Sequence, residues 1–115
     1  MRQKLLTDLV QAVLTTPGAT STDVRRAVSD RVRRRALEKP GAPSSIQDSE
    51  LLSEEMKAYV DQVAERAHDV TPAQVQALLN GGLSEDAVFE LTVVAAVARG
   101  ALELERGLET LEAGG

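Results

Sequence analysis

The chain contains no cysteine among its 115 residues. Disulfide bonds, thiolate nucleophiles, thiolate metal sites and dithiol redox chemistry are therefore excluded for this chain acting alone. Aromatic side chains are almost as scarce, because Tyr59 and Phe89 are the only two. A hydrophobic core must then be built from leucine, valine and alanine, and the many small side chains allow helices to approach one another closely.

Long apolar runs are also missing. Arg99, Glu103 and Glu105 interrupt the longest run before it reaches the roughly 18 residues that a membrane-spanning helix needs. Near the start of the chain, Asp8 stands among the first apolar residues and no small-residue cleavage site follows, which argues against a signal peptide. We therefore expect a cytoplasmic protein with no membrane partner.

Charge is distributed unevenly over a chain whose net charge is −5. Residues 1–40 hold nine basic and four acidic residues, a balance of +5, and residues 41–115 hold four basic and fourteen acidic residues, a balance of −10. The two parts should attract each other, either within one subunit or between subunits. The charges could also be simply solvated, because isolated exposed ion pairs contribute only about 0 to 1 kcal/mol.

Apolar residues that recur every three or four positions predict an all-α fold of about five helices, with no strand. A chain of this length forms one compact domain, in which we distinguish a basic helical pair at 1–39, a linker with two prolines at 40–49, and a helical core at 50–115. The predicted helices cover residues 4–15, 22–36, 50–69, 72–79 and 85–111.

The last predicted helix is the most informative segment. Ser84 can accept the free backbone donors of its first turn, and between residues 88 and 98 only Glu90 and Thr92 are polar. A helix that is apolar nearly all round must be covered by protein on most sides. Because so short a chain has little else to cover it with, we expect a homo-oligomer.

Arginines are concentrated in the second predicted helix, at positions 25, 26, 31 and 33–35. Basic helices can neutralise nucleic-acid phosphates, but the acidic balance of the whole chain and the lack of stacking aromatics in this part argue against a nucleic-acid partner. We expect ion pairs with the acidic part, or a solvated surface. Arg99, inside the apolar helix, should pair with Glu90 or Glu103, or emerge at a subunit boundary or pocket.

The sequence Gly-Leu-Ser-Glu-Asp-Ala-Val-Phe-Glu-Leu at residues 82–91, followed by an alanine-rich helix, resembles the core repeat of the carboxymuconolactone decarboxylase and AhpD-like superfamily. Residues 59–68, with Val70 and Thr71, are also similar to short members of it, so that the resemblance covers about residues 50–111. It implies an AhpD-like helical bundle that assembles into dimers, trimers or hexamers.

The redox members of that superfamily carry Cys-x-x-Cys-x-x-x-His on the helix before the turn. An alignment on His68 puts Asp61 and Ala64 at the cysteine positions, whereas an alignment on the glycine turn puts Ala67 and Val70 there. Neither alignment supplies a thiol. We therefore expect a non-redox member without peroxidase activity, which works as an oligomeric binding or scaffold protein for a small molecule or another protein.

The alternative is a small acid–base enzyme of the decarboxylase type. His68 is the only imidazole, with an ordinary pKa near neutrality, and Glu65, three residues earlier, is the candidate carboxylate to orient it. A histidine in the last turn of a helix is also favoured there simply by the helix dipole. One histidine among scattered carboxylates selects no metal ion, and we expect no cofactor.

Overall fold

A computed structural model describes residues 2–15, 17–37 and 51–114. In these ranges the chain forms α-helices joined by short turns and contains no strand, which confirms the all-α prediction. The predicted linker at 40–49 lies outside the described residues. The helices are α1 (Arg2–Thr15), α2 (Thr22–Leu37), α3 (Glu54–Arg66), α4 (Pro72–Asn80) and α5 (Glu85–Gly114), with a 3₁₀ turn (Ala67–Asp69) after α3.

Hydroxyl side chains fix where the helices begin. Ser21, Ser53 and Ser84 each accept a hydrogen bond from a backbone N–H three residues later, at 3.0–3.2 Å, as N-cap residues do. Thr71 forms the predicted capping box with Gln74, since each side chain accepts from the other residue's backbone N–H. The caps therefore set the starts of the helices from α2 to α5.

The third helix is shorter than predicted at both ends. The sequence predicted residues 50–69, but Ser53 caps the first turn and α3 begins at Glu54. At the other end the backbone tightens into the 3₁₀ turn, and the Val70 N–H donates to the Ala67 carbonyl at 3.2 Å. Periodicity alone did not reveal these boundaries, because the apolar spacing continues through the turn.

The turn between α4 and α5 depends on glycine. Gly82 has a φ of 105°, which is the left-handed region that favours glycine. Its N–H donates to the Leu79 carbonyl at 3.1 Å, and the Leu83 N–H donates to the Leu78 carbonyl at 3.2 Å. These two bonds form a Schellman motif that satisfies the last carbonyls of α4.

Helix α5 is central to the fold, since it contacts α1, α2, α4 and α3. Its inner face is fully buried at Leu91 and Ala95 and packs on Val28 of α2 and Val60 of α3, within one hydrophobic core. Although it is 30 residues long, no helix within the described ranges has the length and apolarity needed to cross a membrane.

Candidate functional site

Arginines of α2 form ion pairs with carboxylates of α3 and α5 in the same chain. Arg31 makes a two-pronged pair with Asp61, its Nε lying 2.8 Å from Oδ1 and its Nη2 2.7 Å from Oδ2. These side chains are only 7% and 17% exposed. Arg35 meets Asp61 at 3.3 Å and Glu65 at 3.2 Å, and Arg33 reaches Glu105 at 3.2 Å.

The sequence left two alternatives for the arginines of α2, ion pairs or a solvated surface. At three positions these contacts show ion pairs. The basic and acidic parts of the chain attract each other within one subunit, through α2, α3 and α5. Three guanidinium groups are thereby committed to the fold, and two-pronged arginine–carboxylate geometry of this kind gives orientation as well as energy. The arginines at these three positions of α2 therefore stabilise the packing of the helices.

The two residues predicted for acid–base chemistry have different partners. His68 lies in the 3₁₀ turn with its side chain 83% exposed, and its Nε2 is 3.4 Å from Oδ1 of Asp69. Glu65 is held by Arg35 through two bonds of 3.2 Å. A cavity beside Glu65 is lined by residues of α2 and α3, and His68 is not among them. The structure thus gives His68 no enclosed surroundings.

Metal chemistry has no obvious location in the described part of the chain. It contains no group of three histidine, aspartate or glutamate side chains that could hold an ion. Carboxylates that lie close together in sequence, such as Asp61 and Glu65, are instead joined by Arg35.

A shallow groove of about 280 Å³ lies between α1 and the first half of α5. We call it the α1–α5 groove. Its walls are mostly apolar, and its two charged residues both have structural bonds: Arg25 donates from Nη1 to the Val13 carbonyl at 2.9 Å, and Glu90 accepts from the α1–α2 connection. The lining residues are Ala12, Val13, Pro17, Gly18, Arg25, Phe89, Glu90, Val93 and Val94.

Glu90 anchors the connection between α1 and α2. Its carboxylate accepts from the Thr20 hydroxyl at 2.7 Å, from the Thr20 N–H at 2.9 Å and from the Ala19 N–H. The Thr20 hydroxyl bond has the largest effect on the pKa of Glu90, which lies below its usual value of 4.5. The two backbone donors and the charge of Arg25 act in the same direction, and desolvation opposes them.

The approach of Glu90 also explains Gly18. A Cβ atom at that position would overlap the Glu90 carboxylate. Arg99, for which Glu90 was one predicted partner, pairs instead with the other predicted partner, Glu103, at 3.0 Å. The pair spans one turn of α5, with Arg99 half-buried and Glu103 exposed, so Arg99 emerges at the surface of the helix.

The outer face of α5 carries a line of apolar and small residues that is not covered by the described part of the chain. Phe89, Leu104 and Leu111 are 68%, 52% and 64% exposed, and Val93 is half-buried. Ala96, Gly100 and Gly107 are exposed between them. We call these seven residues the outer stripe. The sequence predicted that this helix is apolar on most sides and needs cover. It did not distinguish the exposed line of residues from the buried face.

Comparisons with family models, with curated proteins and with solved structures give no match for this chain. The resemblance to the AhpD-like superfamily therefore stays a prediction. Within the described residues, the outer stripe is a surface that the fold of one chain does not explain.

Proposed function

We propose that this protein is a cytoplasmic, non-redox helical protein of the AhpD-like type, which functions by self-assembly and binding and has no peroxidase activity. The outer stripe of α5 is the observation that carries the proposal. Three large apolar side chains, Phe89, Leu104 and Leu111, are each more than half exposed along one helix. Exposed apolar surface that is continuous, instead of scattered, is typical of interaction sites.

Burial of this surface contributes favourably to association. Full burial of a leucine or phenylalanine side chain is worth about 1.5–3 kcal/mol, so that covering the exposed part of these three is worth about 1–2 kcal/mol each. The fold also gives the surface a rigid support, because α5 is held on its inner face by the four other helices. A preformed surface loses little conformational entropy on binding.

The AhpD-like assignment is supported by the residues that carry the resemblance. Gly82 adopts the left-handed conformation at the turn, and Ser84 caps the helix that follows. The acid–base alternative has less support. Its two residues are engaged separately, His68 with Asp69 and Glu65 with Arg35, and neither arrangement encloses a substrate.

Sedimentation velocity over a range of concentrations tests the proposal. We expect a reversible oligomer at micromolar concentration, and we expect Leu104→Glu to shift it to the monomer, because a carboxylate would be buried without a partner. Ala73→Glu is the matched control: it adds the same charge at an exposed position of α4 and should leave assembly unchanged. A wild-type chain that stays monomeric at several hundred micromolar would contradict the proposal.

A further inference from the structure

The outer stripe has a regular spacing. Its seven positions, from 89 to 111, are separated by steps of 4, 3, 4, 4, 3 and 4 residues, which make two repeats of eleven. An eleven-residue repeat corresponds to about 3.67 residues per turn, close to the 3.6 of an α-helix. The stripe therefore runs nearly parallel to the axis of α5, for about 33 Å at 1.5 Å per residue.

The two glycines of the stripe are not explained by the fold of one chain. A Cβ atom at Gly100 or Gly107 would meet no heavy atom within 4 Å, and neither glycine has a positive φ. Glycine in the middle of a helix is less favourable than alanine. Gly18 and Gly82 differ, because each has a local reason to lack a side chain. Close approach of another chain is one reason for glycine at such a position.

We propose that α5 binds α5 of a second copy in antiparallel orientation, about a twofold axis that passes beside Gly100. The inference rests on the proposed function and names its partner surface. Positions at equal distances from Gly100 face each other in such a pair, and in two of the facing pairs a large side chain opposes a small one. The facing pairs are Phe89 with Leu111, Val93 with Gly107, Ala96 with Leu104, and Gly100 with itself.

A parallel pair would fit less well. It would place Leu104 against Leu104 and Phe89 against Phe89, while gaps would remain at both glycines. It would also bring the acidic first turns of the two helices, Glu85 and Asp86 of each copy, to the same end. The antiparallel pair separates these acids and opposes the two helix dipoles.

Charges beside the stripe favour the same arrangement. Arg99 and Glu103 lie on one flank of the stripe, and in a twofold antiparallel pair that flank meets the same flank of the second copy. Arg99 then lies about 3 Å along the axis from Glu103 of the second copy, and the converse contact forms by symmetry. The Arg99–Glu103 pair of each chain is 3.0 Å apart and at the surface, and Glu103 also meets Arg106 at 3.5 Å. In the dimer these groups would become half of a larger cluster in which arginines and glutamates alternate.

The end of the stripe meets the α1–α5 groove. Phe89 and Val93 line that groove, and in the antiparallel register Leu111 of the second copy lies opposite Phe89. The groove, at about 280 Å³, has room for a leucine side chain beside the phenylalanine ring. The surface offered to the second copy therefore extends from α5 onto α1.

The absence of cysteine makes the orientation directly measurable. Chains carrying Phe89→Cys and chains carrying Leu111→Cys are mixed and treated with a short thiol-specific cross-linker. We expect a cross-linked heterodimer in the mixture and almost none from Phe89→Cys alone or from Leu111→Cys alone, because equivalent residues at either position are about 33 Å apart in the antiparallel pair. Ala73→Cys on α4 is the control and should not cross-link.

The outcomes separate this inference from the proposed function. Efficient cross-linking of Phe89→Cys to itself would show a parallel pair and overturn the antiparallel register. An oligomer in which none of the α5 variants cross-links would overturn the inference and leave the proposed function standing. A chain that is monomeric throughout, with the stripe covered by its own residues 38–50 or by a different protein, would overturn both. Circular dichroism of each variant verifies that it has folded.

Discussion

Replacement of Gly107 by alanine should have opposite effects on the single chain and on the assembly. In one chain the added methyl group enters open space, so that only the helix propensity changes. Alanine is favoured over glycine by about 0.5–1 kcal/mol in a helix interior. With an unfolding entropy of about 2.1 cal/mol/K per residue over 115 residues, 1 kcal/mol raises the Tm of the monomer by about 4 °C.

Association should weaken at the same time. In the antiparallel pair the new methyl group is directed at Val93 of the second copy, and the contact occurs twice because of the twofold axis. Overpacking of a close contact costs about 1–3 kcal/mol, and 1.4 kcal/mol corresponds to a tenfold change in Kd. We therefore expect the dimer Kd to rise at least about tenfold.

Two measurements on one protein check the prediction. Thermal unfolding is followed at a concentration well below the dimer Kd, and the Kd is obtained by sedimentation equilibrium. Glu109→Ala is the control, since Glu109 is exposed two residues further along α5, on the side opposite to the outer stripe, and should not alter the Kd. A higher Tm for Gly107→Ala with an unchanged Kd would refute the idea that this glycine admits a second helix.

Three further predictions concern the ion pairs, the acid limb of stability and the histidine. Asp61→Ala leaves the buried guanidinium of Arg31 without its main carboxylate and should lower the free energy of unfolding by about 3 kcal/mol. Glu65→Gln, at an exposed pair, should lower it by at most about 1 kcal/mol. Urea denaturation measures both changes. The pKa of Glu90 is lowered in the folded protein. The stability that its carboxylate contributes is therefore complete above the ordinary pKa of 4.5 and is lost as the pH falls through the lowered value. Glu90→Gln should remove this part of the pH dependence. His68→Ala should change neither the Tm nor the oligomeric state.

Each of these predictions has a contrary result. Equal losses of stability for Asp61→Ala and Glu65→Gln would show that burial does not distinguish the two pairs. An acid limb that is the same with and without the Glu90 carboxylate would show that its bonds to Thr20 are not a source of stability. If the wild-type protein decarboxylates a lactone acid and His68→Ala does not, the acid–base alternative replaces the binding function proposed above.

The sequence was a good guide to the helices because the signals for their ends are local. Thr71 and Gln74 form the capping box that their spacing predicted, and Ser84 begins the last helix. The pairing of Arg99 with Glu103 was also predictable, since four residues along a helix bring two side chains together. Each of these contacts lies within a few residues of chain and requires no knowledge of the tertiary structure.

Contacts between distant residues were beyond that kind of reasoning. Glu90 was a predicted partner of Arg99, but it binds Ala19 and Thr20, about 70 residues earlier. Likewise the partners of Arg31 and Arg35 follow from the packing of α2 on α3. Charge counts favoured a solvated face over ion pairs within or between subunits. The outer stripe could not be located from the sequence for a related reason. Both faces of α5 are apolar, and only the packing of the other helices decides which face is covered.

The position of α5 along the chain has a consequence for synthesis. Helix α5, whose side chains complete the core, follows the four helices that pack against it. A ribosome has therefore made all four before their apolar faces find their shared neighbour. Until about residue 102 has left the exit tunnel, those faces are open to chaperones and proteases. We expect nascent chains stalled before that point to be digested readily, and chains stalled well after it to resist.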